Sequence, residues 1–264
     1  MKILIIGDPH GNMGEIKKIP MKDIDLILLT GDLGRADLMR KQAFVNIDRR
    51  KRGLTEIEFS SKEKKRAFME AYDTTMKVVK YLMRLAPVYT IYGNVESSNA
   101  YTKKYSKEIG LPLPSLTNNL KRMRNVKVIN NRLAKFKGIK IGGLEYFIDD
   151  IWVKTFKPSN YSDRLKSAKK ETAKAKKILN YFRKVDILVC HQPPHGILDK
   201  VTFAQAPKSW KGKHAGSKVI LDYIKKEHPP YVFCGHIHEG EGYKKFGKSN
   251  IYNLGFCKHK IIDI

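Results

Sequence analysis

Five short apolar runs, each bounded by glycine or by a single polar residue, constrain this chain more than any other feature. They are KILIIG (2–7), DLILLTG (25–31), PVYTIYG (87–93), VDILVC (185–190) and YVFCG (231–235). Runs of this length between breakers read as buried strands. Helical patterns separate several of them. One spans about 61–85 with Phe68, Tyr72, Met76, Val79 and Met83 on one face. A second, at about 163–184, has Leu165, Ala168, Thr172, Ala175, Leu179 and Phe182 on one stripe and lysines elsewhere. A third starts near Ser217, a plausible N-cap after Gly216, and ends at His228 before Pro229 and Pro230. Four weaker runs, VKVI (126–129), GIKIGG (138–143), NIYNLG (250–255) and KIIDI (260–264), are expected to pair into a more antiparallel region. No repeat or low-complexity linker marks a boundary. The expectation is one domain over 1–264 with insertions at about 33–61, 96–124, 145–165 and 196–215.

The first apolar run is too short for a secretory or membrane segment, and no later stretch approaches the length of a membrane span. Three cysteines, Cys190, Cys234 and Cys257, form no disulfide framework, so a reducing, cytoplasmic home is expected. Net charge is the outlier: 52 Lys+Arg stand against 26 Asp+Glu, formally +26. Such a charge attracts polyanions and steers anionic substrates. The lysines at 166–177 are read as the wet face of their helix. Nucleic acid stays open as a partner, a membrane does not, and the oligomeric state is not legible.

The polar residues just past each buried run carry the chemistry. After KILIIG come Asp8, Pro9 and His10; after LILLTG, Asp32; after YTIYG, Asn94; after DILVC, His191; after VFCG, His236 and His238. In α/β sheets the crevice beyond the carboxyl ends of strands is where sites assemble. Residues i and i+2 of an extended segment point the same way, so His236 and His238 face a common point. Two carboxylates, four imidazoles and one amide converging there demand a cation. Seven donors exceed one coordination shell, whereas two ions sharing a carboxylate use them all. Nitrogen and oxygen donors without thiolate favour a transition metal, manganese first, with iron, zinc, nickel or cobalt as alternatives.

In order along the chain, DPH, GD, GN-x-E, a lone histidine after a strand and GHIH resemble the five motifs of the calcineurin-like metallophosphoesterases. The stretch GKHAGS (212–217) is similar to archaeal and bacterial members grouped as Icc-like. The resemblance implies an α/β fold, a four-layer α/β/β/α sandwich of two mixed sheets flanked by helices. It implies that Asp8, His10 and His238 hold one metal, that Asn94, His191 and His236 hold the other, and that Asp32 bridges them. It implies a hydrolase working by in-line attack of a hydroxide shared between ions about 3.5–4 Å apart.

Many members read GNH where this chain has Gly93-Asn94-Val95, and that histidine helps protonate the leaving group. Valine cannot, and general acid help is worth roughly 10²–10⁴-fold. The expected substrates are therefore phosphodiesters or activated phosphate esters rather than alkyl monoesters, a nucleotide among them. His214 in GKHAGS is the candidate to touch phosphate in its place, with Ser217 beside it as a second substrate contact and Asn94 as a catalytic residue as well as a ligand. Glu96 reads as a supporting residue. His195, His228 and His259 read as loop, helix-end and strand residues. Trp152, Tyr161 and Trp210 could stack a base. Two readings compete: a metal-dependent nuclease, on account of the charge, and a non-catalytic protein-binding scaffold of the same fold, as in a retromer subunit. All seven donor positions being filled argues against the scaffold.

Overall fold

The computed structural model describes residues 1–204 and 206–264. Eleven strands and eight α-helices succeed one another among these residues. The first half holds β1 (Lys2–Ile6), α1 (Met13–Ile16), β2 (Leu26–Leu29), α2 (Asp37–Lys51), α3 (Ser61–Leu82), β3 (Val88–Thr90), α4 (Asn99–Ile109), α5 (Leu116–Lys121) and β4 (Val126–Val128). The second holds β5 (Arg132–Phe136), β6 (Ile139–Leu144), α6 (Asp150–Phe156), α7 (Tyr161–Phe182), β7 (Ile187–Cys190), α8 (Lys218–Glu227), β8 (Tyr231–Cys234), β9 (Gly242–Phe246), β10 (Ser249–Asn253) and β11 (His259–Asp263). The strands form two sheets, ordered β11-β1-β2-β3-β4 and β5-β6-β7-β8-β10-β9.

Side-chain alternation makes the layers. Along β1, Ile3 and Ile5 point between the sheets, whereas Leu4 and Ile6 point to the helices over the first sheet. Along β7, Ile187 and Val189 face inward while Leu188 and Cys190 pack under α7 and α8. Apolar on both faces, these strands cannot lie at a surface, which is why the chain stacks helix, sheet, sheet and helix. The α/β, two-sheet architecture flanked by helices is the one the sequence implies. All five strong runs are strands, and three helices fall where periodicity puts them. α3 starts at a capping box, Ser60 accepting from the Glu63 N–H and Glu63 returning to Ser60. Ser217 is the N-cap of α8, and His228 closes it in a left-handed conformation.

One expectation needs correcting. The four weaker runs do not gather into one antiparallel region: β4 lies parallel to β3, β6 lies between parallel β7 and antiparallel β5, β10 between parallel β8 and antiparallel β9, and β11 runs antiparallel beside β1. Each extends an existing sheet instead. The sequence pattern also missed β5 and β9, the two edges of the second sheet, where exposed lysines break the alternation. The proposed insertions contain α2, α4, α5 and α6.

Candidate metal centre

The carboxyl ends of β1, β2 and β3 from one sheet meet those of β7 and β8 from the other, and the seven donors lie in the turns beyond them. Those turns are strained: His10, Asp32 and His236 all have positive φ, at 41°, 46° and 67°. Non-glycine residues are held there only where the surroundings over-determine them, and such positions cluster at active sites. The glycines are obligatory for space. A Cβ on Gly235 would run into the Asp8 carboxylate, and one on Gly93 into Asp32. The GD, GN and GH pairs thus let two strand ends approach without a side chain between them.

His10 Nε2 lies 3.4 Å from His238 Nε2 and 3.7 Å from Asp32 Oδ2, and His238 Nε2 is 3.2 Å from Asp8 Oδ2. His191 Nε2 faces Asn94 Oδ1 at 3.1 Å and Asp32 Oδ1 at 3.7 Å. The two oxygens of Asp32 therefore face one imidazole each. Asp8 also comes within 3.8 Å of His191, but through Nδ1, which is already hydrogen-bonded to the Thr30 carbonyl at 2.9 Å. That bond leaves the lone pair on Nε2, toward Asn94 and Asp32. His10 is held likewise, its Nδ1 3.4 Å from the Gly34 carbonyl. The His236 ring packs on His191, centroids 4.9 Å apart, and the backbone N–H of His236 donates to Asp8.

The electrostatics match this crowding. Burial would raise the Asp8 carboxyl, yet His191, His238 and the His236 amide hold it at about 2. Burial, reinforced by the charge of His191, takes His236 down to about 3, and burial also lowers His10. His191 goes the other way: burial lowers it, but Asp32 and Asp8 outweigh that and raise it. Nitrogen lone pairs aimed at one another and at buried oxygens need positive charge between them. Two triads, Asp8–His10–His238 and Asp8–Asp32–His191, have donor atoms close enough for an ion. The residues present fit two cations.

The sequence matches the family of calcineurin-like phosphoesterases over residues 1–240. The chain belongs to that family. The metallophosphoesterase fold is also that of two solved structures. One is the phosphopantetheinyl hydrolase from Mycobacterium tuberculosis, with a TM-score of 0.55 and 12% identity over 97% of this chain and 89% of that one. The other is a dimetal phosphatase from Danio rerio, with a TM-score of 0.50 and 10% identity over 97% and 87%. At these identities the likeness is one of fold. No curated protein matches the chain.

Around the phosphoesterase centre, other residues take unexpected places. Val95 turns away into an apolar cluster with Ala36, Ala71 and Met39, while its N–H donates to Asp32 Oδ1 at 2.8 Å. Glu96 accepts from the N–H groups of Asp32, Leu33 and Gly93 at 2.9, 2.7 and 2.8 Å, tying together the turns that carry Asp32 and Asn94. Burial and the nearby Asp32 charge push its carboxyl up to about 7. His214 Nδ1 bonds Asp199 Oδ1 at 2.6 Å, and Asp199, fully buried, accepts from the N–H of Gly196 and of Gly216. The ring is 41% exposed and lies 5.6 Å from that of His195. Ser217 is buried, its hydroxyl donated to Asp149 at 2.7 Å, which leaves it no atom for a substrate. Trp152 and Trp210 pack with Phe156 into a local core, so neither is a free stacking platform; Tyr161 is 37% exposed. Sequence reasoning missed Thr30, whose hydroxyl donates to Asp8 at 2.8 Å, and Tyr146, whose ring packs against His191 and His236. It missed Asp199 too. Thr30 could have been read from its place in LLTGD; Tyr146 and Asp199 leave no such signal.

Among the described residues, no helix is long and apolar enough to cross a membrane.

Proposed function

We propose that this chain is a dinuclear metal-dependent phosphodiesterase, acting on phosphodiesters or activated phosphate esters, with manganese the preferred ion. The observation that carries the reading is the pairing of two donor triads, Asp8–His10–His238 and Asp8–Asp32–His191, with Val95 facing away from them. Asp8, His10 and His238 would hold one ion and Asn94, His191 and His236 the other, Asp32 offering an oxygen to each. Cations held there would supply Lewis acidity toward phosphoryl oxygens and toward water.

The chain's own residues do the rest. The Thr30 and Gly34 carbonyls fix the imidazoles of His191 and His10, and Glu96 fixes the turn that presents Asp32. Such outer partners set ligand geometry. With no proton donor at position 95, a leaving group of low pKa such as an aryloxide departs unaided more readily than an alkoxide does. The Asp199–His214 pair is the remaining acid: Asp199 holds Nδ1, so Nε2 is the free nitrogen and His214 is the residue assigned to the leaving or non-bridging phosphate oxygen.

A panel of mono- and diesters, cyclic nucleotides and oligonucleotides assayed with manganese, nickel, cobalt and zinc tests the reading. Diester turnover should exceed alkyl monoester turnover, and Asp32→Asn should abolish both. Equal or better alkyl monoester turnover would reverse the substrate assignment. His214→Ala should lower kcat at least tenfold with metal content intact; unchanged turnover on every active substrate ends its role. Purified protein that takes up no transition metal would favour the scaffold instead.

A further inference from the structure

The stretch from Arg35 to Ser60 supplies no donor to the metal centre and is built unlike the rest of the fold. No residue of α2 is buried, and no side chain caps its N-terminus. Phe44 is 66% exposed, and Ile47, Leu54 and Ile57 are exposed with it. The stretch is nevertheless tied into one shape. Asn46 accepts from the Ile57 N–H at 2.8 Å and donates to the Ile57 carbonyl at 3.0 Å, and Arg49 donates to the Thr55 carbonyl at 2.6 Å. Its inner side is fastened to α3, where Glu70 accepts from the Leu38 N–H and Thr74 from the Arg35 N–H.

On a helix, residues four, three and four apart stay on one face. Here that row reads Arg40, Phe44, Ile47 and Lys51, and all four are exposed. The eleven steps from Arg40 to Lys51 span about 16 Å. At one end, Ala36 and Met39 at the start of the helix pack on Val95, the neighbour of Asn94. At the other, Lys51 lies between Arg50, which pairs with Glu56, and Arg52, which pairs with Asp48. Cations thus flank bare apolar side chains on a line leading from the catalytic rim outward.

We propose that α2 and its return segment form a docking arm for a single-stranded nucleic acid, which it leads toward the metal centre. Single strands are held by basic residues on phosphates and by aromatic side chains against bases. Phe44 between Arg40 and Lys51 offers both. A membrane surface needs a wide continuous apolar face, whereas this row begins and ends in cations. A second copy would bring another +26 against the same face. Delivery to the centre rests on the phosphodiesterase reading; the binding itself does not.

The test uses the full chain loaded with manganese and short fluorescent single strands of DNA and RNA, phosphorothioate-linked to resist cleavage, titrated by anisotropy over a salt series. The variant Phe44→Ala/Lys51→Glu is compared with Lys170→Glu, the same charge reversal on the exposed face of α7. The arm variant should bind about tenfold more weakly with a shallower salt slope, and Lys170→Glu should differ little from wild type. Turnover of a small aryl diester should be equal in all three. Equal weakening by both variants would mean a diffuse field and overturn the arm. So would no strand binding by wild type, uptake of anionic vesicles in place of strands, or a dimer in wild type that the arm variant dissolves. Arm-dependent binding by a protein inactive on every ester would still support the arm while sinking the phosphodiesterase.

Discussion

Glu96 carries no metal in this arrangement, yet its two oxygens hold three backbone N–H groups belonging to the turns after β2 and β3. A glutamine keeps one acceptor oxygen and turns an NH₂ toward those donors. Glu96→Gln should therefore weaken metal binding by roughly 10–100-fold, the usual size of an outer-shell effect. Titration of manganese into the metal-free variant, followed by calorimetry, measures it; unaltered affinity would show that the turns hold themselves. The same reasoning explains why the position after Asn94 tolerates valine. Its side chain belongs to the packing of α2 and α3, and only its N–H serves Asp32.

Among the elements, the strands were readable because a strand apolar on both faces has no alternative to burial between layers. Helices with one apolar stripe were readable for the same reason. α3 buries Phe68, Met76 and Val79 beneath a polar exterior, and α7 buries Ala168, Ala175, Leu179 and Phe182. α2 was not, having no stripe to bury. Edge strands β5 and β9 were not either, since lysines that blunt an edge also erase the alternation. Helix α3 is long and well anchored, so its exposed capping box can be removed without moving the centre. Ser60→Ala should destabilise the protein by about 1 kcal/mol in urea unfolding while ester turnover stays at wild type. A fall in turnover would tie the start of α3 to the site.

For the molecule as a whole, the centre is a seam. Donors from one sheet face donors from the other at close range, His10 Nε2 lying 3.4 Å from His238 Nε2. Cations bound there would hold the sheets together, and binding to the folded state alone would stabilise it. Melting temperature should rise with manganese and fall with a chelator, and the gain should vanish in Asp32→Asn. The gain should also be lost as pH falls, because imidazole must be deprotonated to bind metal. Burial already holds His10 and His236 below the ordinary histidine range, so protons compete less there than in the unfolded chain. A melting temperature indifferent to metal would mean that the donors do not act across the seam.

Read alone, the sequence determined which side chains stand at the ends of buried strands, because a polar group cannot continue an apolar run and must emerge where the run stops. It determined the donor chemistry for the same reason. Only the tertiary structure decided how those ends meet. Strand order, parallel direction, the lone pair left free on His191 by the Thr30 carbonyl, the inward turn of Val95 and the bare face of α2 all depend on contacts between residues far apart in the chain. No local periodicity encodes them, because each is settled by what the opposite sheet or helix presents.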